Sequence, residues 1–426
     1  MRTNFREQQL RDPHMKEAEK ALRTCVHCGF CTATCPTYLV LGDERDSPRG
    51  RIMLMQNMLE TGATPTAETV KHLDQCLSCL GCRTACPSGV DYSALIEKSR
   101  SFIEERYRRP LGERLFRWFI LFVLTRPNLF AALSAAGRIF APVVSRLPGR
   151  LGSMARKAGA SAPAASHAFA RSAPPSQAGK MNTGPRMLLL PGCVQRALAP
   201  QIDAAAGRVL ARRGARVDGL PRTGCCGALA YHMGKADQGK DYARKIIAAF
   251  EAESAKGEVA AVCMTASGCS AFLKEYPRVF ADEPEWRARA ERFMAKVKDF
   301  TEAAMPAAVP SAQTANAPVI AYHPPCSLQH GQRIVGRGEA LLRAAGFRLT
   351  PIPDSHLCCG SAGSYSLLHP KIAEELRRRK LEAIRSTGAQ AIVSANVGCL
   401  SHLSGELPAL HIAELLDWAE GGPSPL

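Results

Sequence analysis

Two cysteine runs of the same spacing constrain this chain more than any other feature. Cys25-Val26-His27-Cys28-Gly29-Phe30-Cys31-Thr32-Ala33-Thr34-Cys35-Pro36 and Cys76-Leu77-Ser78-Cys79-Leu80-Gly81-Cys82-Arg83-Thr84-Ala85-Cys86-Pro87 both read C-x2-C-x2-C-x3-C-P. Structural zinc pairs two C-x2-C knuckles across a longer gap, rather than stringing four cysteines together and ending in proline. Disulfides need an oxidising compartment. The first twenty residues, MRTNFREQQLRDPHMKEAEK, are charged and lack the apolar stretch of a secretory signal. Iron–sulfur ligation is the reading that fits the run. Seventeen cysteines in such a chain point to a reducing, cytoplasmic compartment where thiols serve metals.

The runs resemble those of bacterial ferredoxins, in which the fourth cysteine reaches the neighbouring cluster. That resemblance implies two [4Fe–4S] clusters with crossed ligand sets: Cys25, Cys28, Cys31 and Cys86 for cluster I, and Cys76, Cys79, Cys82 and Cys35 for cluster II. Around them the sequence predicts helices: Met15 to Arg23, a segment opening at Pro48, one capped by Thr66 and ending at Asp74, and one capped by Asp91 from Tyr92 to about Arg109. On the last of these, Glu97, Arg100, Glu104 and Arg108 are expected on an exposed face. His27 and His72 flank cluster ligands, where solvated or helix-end roles compete with tuning of the potential.

At 426 residues the chain accommodates several cores. Its formal charge of +17 suggests nucleic acid until its distribution is read. Between Leu111 and Arg186 eleven basic residues face one acidic residue, Glu113, so most of the excess lies in a connector. No aromatic-interleaved basic motif accompanies it, and nucleic acid is not the expected partner. Leu115 to Leu124 is the most apolar run, about half the ~20 residues a bilayer span needs. A core or inter-domain helix and a basic helix lying on a membrane surface both suit it. From Arg150 to Pro185 the chain reads as an Ala/Ser/Pro-rich linker.

The rest is a duplication. Pro191-Gly192-Cys193, Cys225-Cys226-Gly227 and Ser267-Gly268-Cys269 in the first copy answer to Pro324-Pro325-Cys326, Cys358-Cys359-Gly360 and Val397-Gly398-Cys399 in the second. Cys193 to Cys225 and Cys326 to Cys358 both span 32 residues, and the pairs are offset by 133. Apolar runs at Met187–Leu190, Val259–Met264, Val319–Tyr322 and Ala391–Ala395 alternate with helical stretches, which predicts parallel α/β units with their cysteines gathered at one edge. The expected organisation is multidomain. A mainly α-helical di-[4Fe–4S] ferredoxin domain (1–110) is followed by a basic apolar helix and linker (111–185), then two tandem α/β repeats (186–305 and 306–426).

These repeats resemble the cysteine-rich "CCG" domains of heterodisulfide reductase and of iron–sulfur subunits of flavin-linked hydroxyacid dehydrogenases. CVHCGFCTATCPTYLVLGDERDSPRGRI from Cys25, HLDQCLSCLGCRTACPSGV from His72, YHPPCSLQHGQ from Tyr322 and HLCCGSAGSYSLLHP from His356 resemble the glycolate oxidase iron–sulfur subunit family. The resemblance covers the chain outside the connector. It implies an electron-transfer subunit that takes electrons from FAD-containing partner subunits oxidising glycolate to glyoxylate and passes them toward a quinone. The complex would be a hetero-oligomer with peripheral contact at the inner face of the cytoplasmic membrane. No GxGxxG-type fingerprint follows a strand, so this chain is not expected to oxidise substrate itself. A lactate or anaerobic glycerol-3-phosphate dehydrogenase partner, or thiol-redox chemistry as in heterodisulfide reductase, are the alternatives the resemblance leaves.

Heterodisulfide reductase repeats end in C-x2-C, whereas here Ala266 and Asn396 occupy the earlier position. Four cysteines per copy remain: Cys193, Cys225, Cys226 and Cys269, and Cys326, Cys358, Cys359 and Cys399. They suit a further iron–sulfur or other metal site, or else a redox-active thiol set. Cys263 reads as a buried core thiol. His232, His323, His330, His356 and His402 lie near these cysteines, and Arg45, Arg49 and Arg83 near the cubane motifs are candidates for meeting the flavin subunit.

Overall fold

Short polar side chains set where the N-terminal helices begin, because each supplies an acceptor for an otherwise free N–H group. The computed structural model describes residues 1–144, 184–221, 223–305, 314 and 317–426. In it, the helix Pro13–Thr24 opens with the His14 N–H donating to Asp12 at 2.9 Å, and the helix Pro48–Thr61 with the Gly50 N–H donating to Ser47 at 3.0 Å. The helix Ala67–Asp74 opens likewise on Thr66, at 3.1 Å from the Thr69 N–H. With the helix Tyr92–Arg106 they close a core around Leu22, Met55, Leu59, Leu73, Leu95 and Ile103.

The helix Tyr92–Arg106 departs from its expected solvent-facing role. Glu97 is buried, accepts from Arg278 Nη2 at 2.6 Å and lies 3.3 Å from the His232 ring. Arg100 donates to the His232 carbonyl at 3.1 Å and to the Cys76 carbonyl at 2.6 Å. Burial would raise the Glu97 carboxyl, yet Arg278 and His232 hold it below its usual range. The helical period is as expected, but Glu97, Arg100 and Glu104 meet the first repeat, while Arg108, past the helix end, is exposed.

The apolar run forms the helix Leu111–Leu124, followed after a 101° bend by the helix Pro127–Val144. Among the described residues no single helix is long and apolar enough to cross a membrane. Arg117 donates to Asp74 and to Glu113, both at 2.8 Å, which clasps the helix against the cluster domain. Ile120, Leu121 and Val123 are buried, while Leu111, Leu115, Trp118 and Phe119 remain exposed. Most of the Arg150–Pro185 linker falls within 145–183, outside the described residues.

Each repeat is a four-stranded, all-parallel sheet. In the first, β1 (Arg186–Leu190), β2 (Arg216–Gly219), β3 (Ala261–Met264) and β4 (Val297–Asp299) lie in the order β2-β1-β3-β4. In the second, β5 (Ile320–Tyr322), β6 (Leu349–Thr350), β7 (Ala391–Ser394) and β8 (Ala409–His411) repeat it as β6-β5-β7-β8. The central strands are the apolar runs, covered on both faces as parallel strands are. The edge strands are too short and mixed in polarity to stand out in the sequence.

The two sheets share one core. Leu189, Val209, Cys263 and Phe300 from the first repeat pack with Tyr322, Val393, Ile412 and Leu416 from the second. Arg208 Nε and Arg212 Nη1 donate to buried Asp417 across the same boundary, at 3.0 and 2.7 Å. His411 ties it further. Its Nδ1 accepts from the Ala413 N–H at 3.1 Å, capping the last helix, and its Nε2–H donates to the Thr265 carbonyl of the first repeat at 3.1 Å.

Burial pulls His411 down from about 6.5 to about 4, so the folded ring stays neutral where an unfolded one gains a proton. Since the unfolded state then binds the proton first, stability falls as pH drops from about 6.5 to about 4. The loss is up to about 3 kcal/mol from this residue. Thermal midpoints measured across that range should fall with acidity. A His411→Asn variant, which keeps a cap acceptor but cannot ionise, should lose this part of the pH dependence.

Candidate functional site

The two cysteine runs are loops held open by backbone geometry. His27, Ser78 and Leu80 take positive φ values of 55°, 52° and 61°, which turn successive thiols toward common centres. One cavity is lined by Cys25, Cys28, Cys31, Cys82 and Cys86, and a second by Cys35, Cys76, Cys79 and Cys82. Cys86 thus stands among the thiols of the first run, and Cys35 among those of the second. The Ser78 N–H donates to Cys76 Sγ at 3.4 Å and the Val90 N–H to Cys86 Sγ at 3.5 Å.

The donor set fits cubane chemistry. Burial pushes the Cys31 thiol up to about 11, and drives Cys79 and Cys82 well above the ordinary thiol range. Such groups ionise only beside a strong cation, which cluster iron provides.

Arg51, which sequence reasoning passed over in favour of Arg45, Arg49 and Arg83, is the buried cation of this region. It is 1% exposed and shares the second cavity's lining with Cys35 and Cys76. Its Nε donates to the His72 carbonyl at 2.7 Å, Nη1 to Thr37 Oγ1 at 2.9 Å and Nη2 to Asp46 Oδ1 at 3.0 Å, and Nη1 lies 3.8 Å from Cys35 Sγ. His72 Nδ1 completes the network at 3.0 Å from Asp46. Asp43, Asp46 and His72 approach one another closely enough for a metal, but the Arg51 guanidinium already neutralises Asp46. The signal was available: Arg51 precedes Met55 by one helical turn, on the stripe that buries Ile52, Met55 and Met58. Arg45 and Arg49 are instead surface residues paired with Asp43 and Glu44, and Arg83 reaches toward Asp91 and Glu275 at 3.6 and 3.9 Å.

In the repeats the strand order reverses direction between β1 and β3, and between β5 and β7, the place where open parallel sheets form a crevice. Cys193 follows β1 and Cys269 follows β3, with Cys326 and Cys399 in the same places of the second repeat. The Cys-Cys-Gly turns complete each edge. Gly227 and Gly360 both have φ of 93°, and a Cβ there would lie 2.6 and 2.7 Å from the Gly239 and Ala373 carbonyl oxygens, so only glycine fits. The glycine N–H groups donate back to Cys225 Sγ at 3.4 Å and Cys358 Sγ at 3.5 Å.

The four thiols of each repeat form a continuous run of contacts, Cys193 to Cys225 to Cys226 to Cys269 and Cys326 to Cys358 to Cys359 to Cys399. Cys359 packs with Cys399 inside the repeat, whereas Cys358 packs with Cys326 and with Cys79 of the second run. Cys326 and Cys358 Sγ atoms are 3.7 Å apart. Shared hydrogen bonding with Cys358, together with burial, raises the Cys326 thiol well above its ordinary value, and Cys225 acts in the same sense on Cys193.

Other contacts lock this arrangement. His330 Nε2–H donates to the His356 carbonyl at 2.9 Å while its Nδ1 accepts from Thr84 Oγ1 at 2.7 Å, and Tyr365 Oη donates to the Gln75 carbonyl at 3.0 Å. The Ser267 N–H donates to the Ala395 carbonyl at 3.2 Å, and Ser267 and Ser327 hydroxyls are 2.9 Å apart, so the two cysteine edges lie side by side. Of the remaining histidines, His402 Nε2 lies 3.2 Å from the Ala373 carbonyl, and His232 stays half-exposed beside Glu97. His27 and His72 both border the motifs. His323 is wholly buried, and desolvation followed by the nearby Lys380 charge holds its ring well below the usual imidazole range.

The site and fold together define an iron–sulfur protein with two [4Fe–4S] clusters. The 4Fe-4S dicluster domain family matches residues 21–90, and the Cysteine-rich domain family matches residues 187–274 and 320–404. The chain is 39% identical to the glycolate oxidase iron-sulfur subunit of Escherichia coli (strain K12), over 98% of this chain and 99% of that one. It is 33% identical to the probable glycolate oxidase iron-sulfur subunit of Bacillus subtilis (strain 168), over 95% of each. Lactate utilization protein A of Geobacillus thermodenitrificans is 30% identical over 51% of this chain and 92% of its own. The chain belongs to the glycolate oxidase iron–sulfur subunit family.

Replacing Arg51 tests the site's electrostatics. Arg51→Gln leaves Asp46 buried without its cation, which should cost about 3–5 kcal/mol of stability. It should also lower the reduction potential of the adjacent cluster by tens of millivolts, as loss of a nearby positive charge requires. Arg51→Lys should preserve most of the potential. A redox titration followed by electron paramagnetic resonance (EPR), with thermal midpoints alongside, reads both effects.

Proposed function

We propose that this chain is the electron-transfer subunit of a glycolate-oxidising complex, accepting electrons from flavin subunits that convert glycolate to glyoxylate. The observation that carries the reading is the packing of the second repeat's Cys326 and Cys358 against Cys79, which joins a dicluster domain to a cysteine-edged repeat without an intervening layer. Cys25, Cys28, Cys31 and Cys86 would hold cluster I, and Cys76, Cys79, Cys82 and Cys35 cluster II. When bound, these clusters supply one-electron chemistry that a two-electron flavin reaction needs in order to reach a one-electron acceptor.

The residues around the first cavity suit an inlet. Cys28 is exposed, and Val26 and Phe30 on either side of it are each 67% exposed. A protein partner seated over the exposed Cys28 would cover both of these apolar side chains. On the side of the second cavity, by contrast, Leu77 and Cys79 pack against the second repeat.

The acceptor side is read from the helix Leu111–Leu124. Leu111, Leu115, Trp118 and Phe119 recur at helical spacing on its exposed face, with Arg114 beside them. An exposed apolar stripe with a Trp and a flanking cation matches a helix lying in a membrane interface, where a quinone would be met.

Anaerobic addition of glycolate to the chain with its native partners should bleach the visible iron–sulfur absorbance at far lower concentration than d-lactate or glycerol 3-phosphate. Bleaching by glycerol 3-phosphate instead would reassign the partner enzyme. Phe30→Glu should slow glycolate-driven bleaching at least tenfold without loss of iron. Replacing Trp118 and Phe119 together by Ser should abolish co-sedimentation with anionic phospholipid vesicles while leaving bleaching intact.

A further inference from the structure

The two repeats are not chemically equivalent. Counting back three residues from the first cysteine of each copy gives Leu190 in the first and His323 in the second. Leu190 is 2% exposed and packs in its repeat's core. His323 takes the matching place at the end of β5. Its backbone N–H donates to the Val393 carbonyl at 2.7 Å and its carbonyl accepts from Ser394 Oγ at 2.8 Å, so its position is fixed between the two central strands.

The imidazole is 1% exposed, and among the described residues neither ring nitrogen has a hydrogen-bond partner. A buried imidazole without a partner on either nitrogen has no packing rationale, since a leucine fills the same place in the sister repeat. What lies within reach is sulfur. One ring nitrogen of His323 and the Sγ atoms of Cys359 and Cys399 all fall within 4.8 Å of one another. Cys399 sits in the helix Val397–Leu403 just after β7, where Asn396 Nδ2 donates to its Sγ at 3.5 Å. The buried ammonium of Lys380 donates to the Asp354 carbonyl at 2.7 Å, leaving the thiols as the soft donors of the pocket.

We propose that the second cysteine-rich repeat holds a thiophilic metal centre ligated by the imidazole of His323 together with the thiolates of Cys359 and Cys399. Mixed imidazole and thiolate donors select zinc or an iron–sulfur cluster over hard cations. Cys326 and Cys358 stand next to the triad and link it to Cys79 of the dicluster domain. The first repeat, with Leu190 in place of the imidazole, lacks this centre's nitrogen ligand. The centre belongs to this chain whichever substrate the flavin partner oxidises, so it stands or falls separately from glycolate specificity.

The test is metal analysis of the complex purified anaerobically, as wild type and as His323→Leu, which copies the sister repeat and should fold. Wild type should contain metal beyond the irons of the two cubanes, either zinc without labile sulfide or further iron with it. His323→Leu should lose at least half of that excess and keep the cubane EPR signals. In wild type, zinc-edge X-ray absorption should show imidazole scattering, or iron signals should show coupling to 15N from labelled histidine, and the variant should lose it. Zinc and iron outcomes identify the metal. Equal excess metal in variant and wild type, no nitrogen signature in wild type, or no metal beyond the two cubanes would each overturn the proposal.

Discussion

A thiolate buried among apolar side chains is stable only beside a cation, and most of this protein is arranged around that requirement. The loops of the two cysteine runs expose backbone N–H groups to sulfur, and Arg51 lies buried against Cys35 with every polar contact matched by Thr37, Asp46 or the His72 carbonyl. Short hydrogen-bonded turns at Phe30–Thr32 and Gly81–Thr84 and the helices beneath them supply a core rigid enough to hold the thiols near common centres.

The same requirement explains why the dicluster segment and the repeats are fused surface to surface. Cys79 would face water if the second repeat were absent, and the apolar patch of Leu77, Tyr365, Ile372 and Leu376 covers it. The first repeat is fastened through the ion pair of buried Glu97 with Arg278 and through Arg100, which donates to the His232 carbonyl. Pairing of this kind fixes orientation more than it adds stability, because desolvation offsets much of the attraction. For electron transfer the orientation is what matters.

The helix Leu111–Leu124 resolves two needs on two faces. Arg109 and Arg117 converge on Asp74, and against the cost of burial they hold its carboxyl below the usual range, which anchors the helix to the cluster domain. With Arg117 engaged inward, Leu111, Leu115, Trp118 and Phe119 point outward beside Arg114, while Ile120, Leu121 and Val123 are buried. An apolar run interrupted by one arginine looks ambiguous in isolation, and the ambiguity disappears once Arg117 has a partner.

Local chemistry was legible in the sequence wherever a short segment carries its own instruction. Spacing and proline identified the two cysteine runs, Pro48 and Thr66 marked two helix starts, and the 133-residue offset exposed the duplication with its central strands. Those features rest on interactions between residues a few positions apart. The pairing of Glu97 with Arg278, the contact of Arg100 with the His232 carbonyl, the seating of Arg51, the apposition of Cys358 with Cys79 and the position of His323 beside Cys359 and Cys399 join residues tens to hundreds of positions apart. No period or motif encodes such pairings, because they arise only when separately formed elements exclude water from a shared surface. The sequence alone therefore determined which ligands and cofactors this chain can use, and the tertiary structure decided which thiols meet, which charges are buried with them, and which faces remain open.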